Sequence, residues 1–280
     1  MNRIVASAVL TLVLASPVQA QQRPLLTEDP ETIGAGLILI EVGVDQLRGI
    51  SYPASGLTGN LLRLPAVGVS FGVSSIAEIQ VDGGLYNRLL VTERRAAPFS
   101  SVLNFSGDRT SDVEDFTVGA KVRLIAESTG GPSLGVRFAT RLPNASNESG
   151  LGLDTSDFYA SLLFGKTIQS VRFVANFGVG ILGDPSEGTR QNDVLTYGLS
   201  VARAIATGVE VVGEINGRTQ GRLSEPPIGT ESRGGMRLGG RFTRGTVRLD
   251  GGLIIGMTSR DPSIGFTAGL TWVFRGFTVP

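Results

Sequence analysis

The chain has 280 residues, 41% of them hydrophobic, with 39 glycines and 25 basic against 25 acidic side chains. Zero net charge offers no bulk attraction for nucleic acid or another polyanion. The absence of His and Cys removes disulfides, zinc sites and every catalytic set that needs an imidazole base or a thiol, so no enzyme, metal site or cofactor is expected.

The chain opens with Arg3, an apolar run from Ile4 to Leu14 and the small-residue ending Val18-Gln19-Ala20. This pattern predicts a cleavable signal peptide over 1–20, and no Cys follows that could carry a lipid anchor. Residues 21–31, with Arg23 among acidic neighbours, are expected to form a short, solvated periplasmic tail; a small plug entering from the periplasm is the lesser reading.

From 32 to 275 the chain alternates with period two, and beyond the signal no apolar run approaches the roughly 20 residues of a membrane helix. The alternation predicts twelve strands at 33–46, 61–73, 76–92, 113–127, 132–142, 157–168, 170–183, 193–205, 208–219, 232–243, 246–258 and 263–275. The breaks are alternately short and long. Ser74-Ser75, 128–131, Gln169, Ala206-Thr207 and Arg244-Gly245 suit tight hairpins, whereas 47–60, 93–112, 143–156, 184–192 and 220–231 are loops. Residues 276–280 are left as a C-terminal extension.

Turns sorted to one side and loops to the other predict an all-β fold, an antiparallel up-and-down outer-membrane barrel with both termini periplasmic. The competing soluble sandwich has no reason to sort its connections in this way. Membrane lipid and, during assembly, the outer-membrane insertion machinery are the implied partners; nucleic acid is not.

In a barrel the apolar face must meet lipid. In the last strand Ile264, Phe266, Leu270, Trp272 and Phe274 share a face opposite Thr267 and Thr271. The same rule turns the charges Arg63, Lys166 and Arg203 toward lipid near strand ends, where long cations reach the headgroups. Phe71, Phe164, Phe173, Phe242, Trp272 and Phe274 form an aromatic girdle in this reading.

The inner face is predicted to carry an acidic arc of Glu41, Asp45, Glu78, Asp82, Tyr86 and Arg88, and a basic arc of Lys121, Arg123, Arg137 and Arg141. The far wall mixes signs: Glu210, Glu214 and Arg218, then Arg233, Arg237 and Arg241, then Arg248 and Asp250. Opposed rings of charge could select polar solutes in an open bore, or the same residues could pair across strands and fill it. The partly apolar loop 93–112 could fold inward as a lid.

The segments RLPNASNESGLGLDTSDFYASLLFGK from Arg141, VRFVANFGVGILGDP from Val171, DVLTYGLSVARAIATGVEVVGEING from Asp193 and SIGFTAGLTWVF from Ser263 resemble the outer-membrane barrels of the phenol-degradation MetA-pathway family, regarded as transporters. The resemblance implies passive or facilitated passage of small aromatic or hydrophobic molecules. The alternative is a structural or adhesive barrel with a side-chain-filled lumen. Members of such barrels usually end on an aromatic residue read by the insertion machinery; Phe274 and Phe277 both stand near this C-terminus.

Overall fold

Alternating side chains dictate two-faced strands, and a sheet of such strands needs closure to leave no bare edge in lipid. The computed structural model describes residues 23–221 and 224–279, so the signal peptide expected over 1–20 lies outside the described residues. It shows β1 (Leu37–Tyr52), β2 (Leu57–Gly72), β3 (Ala77–Gly84), β4 (Asn87–Arg94), β5 (Arg109–Asp112), β6 (Thr117–Ile125), β7 (Ser133–Arg141) and β8 (Asp157–Ile168). These are followed by β9 (Val171–Gly183), β10 (Gln191–Ala206), β11 (Val209–Gln220), β12 (Arg233–Arg244), β13 (Val247–Gly256) and β14 (Ile264–Arg275). Every pairing is antiparallel, and β1 closes the ring by pairing with both β14 and β2. The result is a closed barrel of twelve staves, because β3 with β4 and β5 with β6 are each one stave interrupted midway.

The burial pattern is that of a protein turned inside out. On β11, Val211 and Ile215 are exposed while Val212 and Glu214 are buried; on β14, Phe266 and Trp272 are exposed while Thr267 and Thr271 are buried. Such an apolar exterior is stable only in hydrocarbon. No helix among the described residues is long and apolar enough to cross a membrane, so the crossing is made by strands. Hairpins gather at one end of the barrel, the turn end. A representative one joins β12 to β13, where Gly245 adopts φ +64, a left-handed conformation that glycine enters without steric cost.

Three expectations are corrected. The loop drawn over 47–60 shrinks to 53–56, because β1 and β2 continue pairing up to Tyr52 and Leu57. The loop at 93–112 contains a 3-10 turn, Pro98–Ser101, and the strand β5, which pairs with β4. And the alternation resets where neighbouring staves are broken at one level. In β2, Leu61 and Arg63 share the inner face with Ala66 and Gly68, a slip of one residue across Leu64-Pro65, where proline lacks the N–H that a ladder requires. In the next stave Glu78, Gln80 and Asp82 point inward, but beyond Leu85-Tyr86 the inward residues are Asn87 and Leu89. A one-residue slip reverses every later side chain. Arg63 therefore faces the lumen instead of lipid, whereas Tyr86 and Arg88 face away from it, in a cleft shared with Phe105, Arg109 and Glu148.

The end opposite the hairpins, the loop end, carries its own small apolar core. Leu57, Leu61 and Leu89 are buried there, with Leu47, Ile50, Tyr52, Leu103, Phe105 and Leu151 packed against them. Backbone bonds Phe99 N–H to Ala54 O (2.9 Å) and Asn104 N–H to Glu148 O (2.9 Å) tie the loops to one another over the mouth.

Candidate functional site: a stoppered lumen

Residues 23–33 do not form a solvated tail. They run inside the ring and bond to staves on every side of it, which only a segment within the bore can do. The Arg23 guanidinium donates to Thr267 Oγ1 (2.7 Å) and Asp45 (3.4 Å) and stands 3.7 Å from Asp250. The Leu26 and Thr27 amides and the Thr27 hydroxyl all donate to the Glu214 carboxylate at 2.7–2.9 Å. Glu28 lies 3.2 Å from Lys121 and 3.1 Å from Arg137. Asp29 accepts a two-pronged bond from Arg172, at 2.9 and 2.6 Å. Glu31 pairs with Arg123, and the Ile33 amide donates to Glu78 (2.8 Å).

The physical reason that the segment is not a tail lies in its charge order. Its one cation meets the acidic arc, and its three acids meet the basic arc and Arg172. Buried ions on both sides would be costly alone; paired and hydrogen-bonded they are tolerated. The chain then turns at the turn end of the barrel, where the Gly36 amide donates to Gly72 O (2.8 Å) and Gly36 O accepts from the amides of Gly276 and Phe277 (3.0 and 3.3 Å).

The residues predicted on the inner face are distributed as follows. Glu41 accepts from the Arg23 amide (3.4 Å) and from Thr271 (3.2 Å). Glu78 lies 3.0 Å from Lys121, and Asp82 lies 3.7 Å from Arg137, which also donates to Gln80 (2.7 Å). Arg141 pairs with Asp157 and Asp115, nearer the loop end. On the far wall Arg237 stands 3.6 Å from Glu214 and donates to Pro24 O (3.0 Å), while Arg241 donates to Arg23 O (2.8 Å) and lies 3.9 Å from Glu210. Arg248 also approaches Glu210, at 3.8 Å. Asp250 finds its cation in Arg23 of the stopper, although Arg241 is its register partner. Tyr86 and Arg88 alone of the predicted set are away from the lumen. Three residues absent from that set, Arg63, Arg172 and Asn176, also belong here; Asn176 Nδ2 donates to Glu28 O (2.7 Å). Arg172 sits two positions into β9, and alternation with Val174 and Asn176 was the available signal.

Above the stopper the bore opens. A cavity of about 520 Å³ is bounded below by Leu26 and Glu28 and laterally by Ser161, Asn176, Asn216 and Arg237. A second, of about 360 Å³, lies under the loops between Ile50, Tyr52, Leu61, Leu151 and Leu153. Leu47, Arg63, Arg218 and Arg233 border both. Cavities of this size, with apolar side chains and fixed polar groups in one lining, suit molecules the size of a single ring or a short chain. No cluster of His, Cys, Asp and Glu suited to a metal ion occurs among the described residues.

An apolar girdle around a closed ring, a charged bore and a resident segment across it define an outer-membrane β-barrel with an internal stopper. The chain belongs to the family described as "Putative MetA-pathway of phenol degradation", whose model matches residues 22–273. Among solved structures, the COG4313 outer membrane channel from Pseudomonas putida F1 superposes with a TM-score of 0.62 at 12% identity, covering 88% of this chain and 98% of that one. The translocator domain of autotransporter NalP from Neisseria meningitidis (TM-score 0.48, 12% identity, 86% and 89% covered) and the Pseudomonas putida toluene transporter TodX (TM-score 0.42, 11% identity, 89% and 92% covered) are more distant likenesses. At such identities the likeness is one of fold. No curated protein matches the sequence at a significant level.

Proposed function

We propose that this protein is an outer-membrane channel for small aromatic or otherwise hydrophobic molecules, with residues 23–33 as a stopper that must shift for passage. The observation that carries the reading is the pair of adjoining cavities above the stopper, each lined by apolar and polar side chains together. A wall built only for mechanical purposes has no need of a ring-sized space within its bore. The family description, which speaks of phenol degradation, and the outer membrane channel from Pseudomonas putida F1 with which the fold superposes agree with it. Export through a signal peptide at 1–20, delivery to the outer-membrane insertion machinery, and a lumen lined by the inner-face residues named above, Tyr86 and Arg88 excepted, belong to the same reading.

The test is uptake of phenol and toluene by Gram-negative cells that lack their general porins, where lipopolysaccharide makes the outer membrane a barrier. Cells that display the barrel should accumulate the solutes faster than cells without it. Equal rates would favour the second reading, a structural barrel whose bore is filled. The observation that favours that reading is the density of ion pairs between stopper and wall.

A further inference from the structure

Arg218 of β11 and Arg233 of β12 stand directly opposite each other in the ladder, at the junction of the two cavities. Like charges so placed repel unless something neutralises them. Arg233 gives Nη1 to Arg260 O (2.9 Å) and Nη2 to Ser51 O (2.7 Å), and has Asp261 at 3.8 Å. Arg218 gives Nε to Glu231 O (3.0 Å) and Nη2 to Gly229 O (3.0 Å). Carbonyl oxygens fix a guanidinium in place but do not cancel its charge. Among the described residues no carboxylate forms an ion pair with Arg218, and its Nη1 has no acceptor. The third cation at the junction, Arg63, is already neutralised by Asp45 and Glu114. The Glu231 carboxylate is buried and makes no ion pair with either arginine.

The junction thus holds a fixed pair of guanidinium groups, with Nη1 of Arg218 unused, beside a chamber in which Leu47, Ile50, Leu61 and Leu151 stand among polar residues that include Asn87 and Glu114. We infer that it is a binding site for a small organic anion, a monocarboxylate on a ring or short chain, with the carboxylate between Arg218 and Arg233 and the apolar body toward the loops. Guanidinium is suited to this because its planar donors match a carboxylate and its charge cannot be lost by deprotonation. The inference rests on the channel reading and deepens it, by giving the solute a charge.

The test compares benzoate with benzamide, which has the same ring and no charge, by ligand-observed magnetic resonance titration of the whole barrel in micelles, with empty micelles subtracted. Benzoate should be held about tenfold or more tightly than benzamide, the effect of one charge-assisted bond in a sheltered site. Arg218→Gln should bring the ratio of the two affinities close to one, and Arg218→Lys should keep most of it. A ratio near one in the unaltered barrel overturns the inference, with no dependence on how any variant folds. So does a ratio that survives Arg218→Gln combined with Arg233→Gln, or inorganic phosphate binding as tightly as benzoate. If phenol and toluene enter cells through a barrel whose ratio is one, the solute class is wrong and the channel stands. If the ratio is large but no solute enters, the site stands and the channel reading fails.

Discussion

Replacing Glu214 by Ala should loosen the inner end of the stopper. The Glu214 carboxylate is 4% exposed and receives three donors from the segment, the amides of Leu26 and Thr27 and the Thr27 hydroxyl. Bonds to a charged acceptor contribute about 1.5–3 kcal/mol each when the acceptor is sheltered. The adjoining cavity can supply water to the freed donors, which lowers each loss to the bottom of that range or just below it, and three bonds at about 1–1.5 kcal/mol give a docking loss of about 3–4.5 kcal/mol. That corresponds to a shift of roughly 10²–10³ in the ratio of seated to unseated segment. The assay is reaction of a water-soluble maleimide with Cys placed at Leu25, which is buried against Ala202 and Val212. In an otherwise unaltered barrel labelling should be slow; with Glu214→Ala it should rise about a hundredfold, and single-channel conductance should rise with it. Unchanged labelling in a barrel that still shows the heat-modifiable mobility of a folded one would refute the reasoning, since the seat would then not depend on this carboxylate.

The outer end of the stopper is held by Asp29 and Arg172, each 12% exposed at the side chain. A double-mutant cycle of Asp29→Asn and Arg172→Gln, read by denaturant unfolding in micelles, should give a coupling of about 1–3 kcal/mol, and a value near zero would assign the pair to decoration. Gly72→Ala should lower stability by about 2–3 kcal/mol, because the new Cβ would fall 1.8 Å from Gly34 O at the point where the segment enters the bore. Gly130→Ala, with nothing within 4 Å of its Cβ, should leave the midpoint unmoved, and an equal loss at both sites would show that backbone freedom and not contact is being measured. At the loop end, burial raises the Asp184 carboxyl, but bonds from the Ser186 hydroxyl and amide and the Glu187 amide, with Arg190 nearby, outweigh it and hold the group below its ordinary range. A depressed folded value means stabilisation that is complete above the unfolded pKa of about 3.9 and lost as the pH falls through the lower folded value. Amide exchange at Ser186 and Glu187, corrected for intrinsic rates, should therefore quicken below about pH 4, and Asp184→Asn should abolish that dependence.

The staves were legible because lipid and lumen impose opposite chemistry on successive residues. From β7 onward, pattern and ladder agree to within about two residues, and Asp157 begins β8 in both. The errors arise where the rule of alternation silently assumes an unbroken ladder. Pro65 within a strand was the visible warning that Arg63 could lie on the other face from its apparent partners. Tyr86 and Arg88 had no such marker, since the break beside them answers the one in β2 and exists only through pairing. The stopper was misread for a related reason: residues 23–31 have the composition of a solvated tail, and their affinity for the bore is expressed only when Lys121, Arg137, Arg172 and Glu214 are brought round them from four different staves. Arg218 and Arg233 were visible as charges of one wall, but that they face each other depends on the register of β11 and β12.

The stopper also carries information about the order of assembly. It is the first part of the described chain to be made, yet it touches β1 and β3 at one extreme and β13 and β14 at the other. A sheet that has not met its own edge cannot offer Arg23 both Asp45 and Asp250, nor can it offer the acids of the segment their cations at the same time. Seating is therefore a readout of closure: the segment that bars the finished pore finds its place only after the last strand has joined the first, and until then the bore and its charges stay wet.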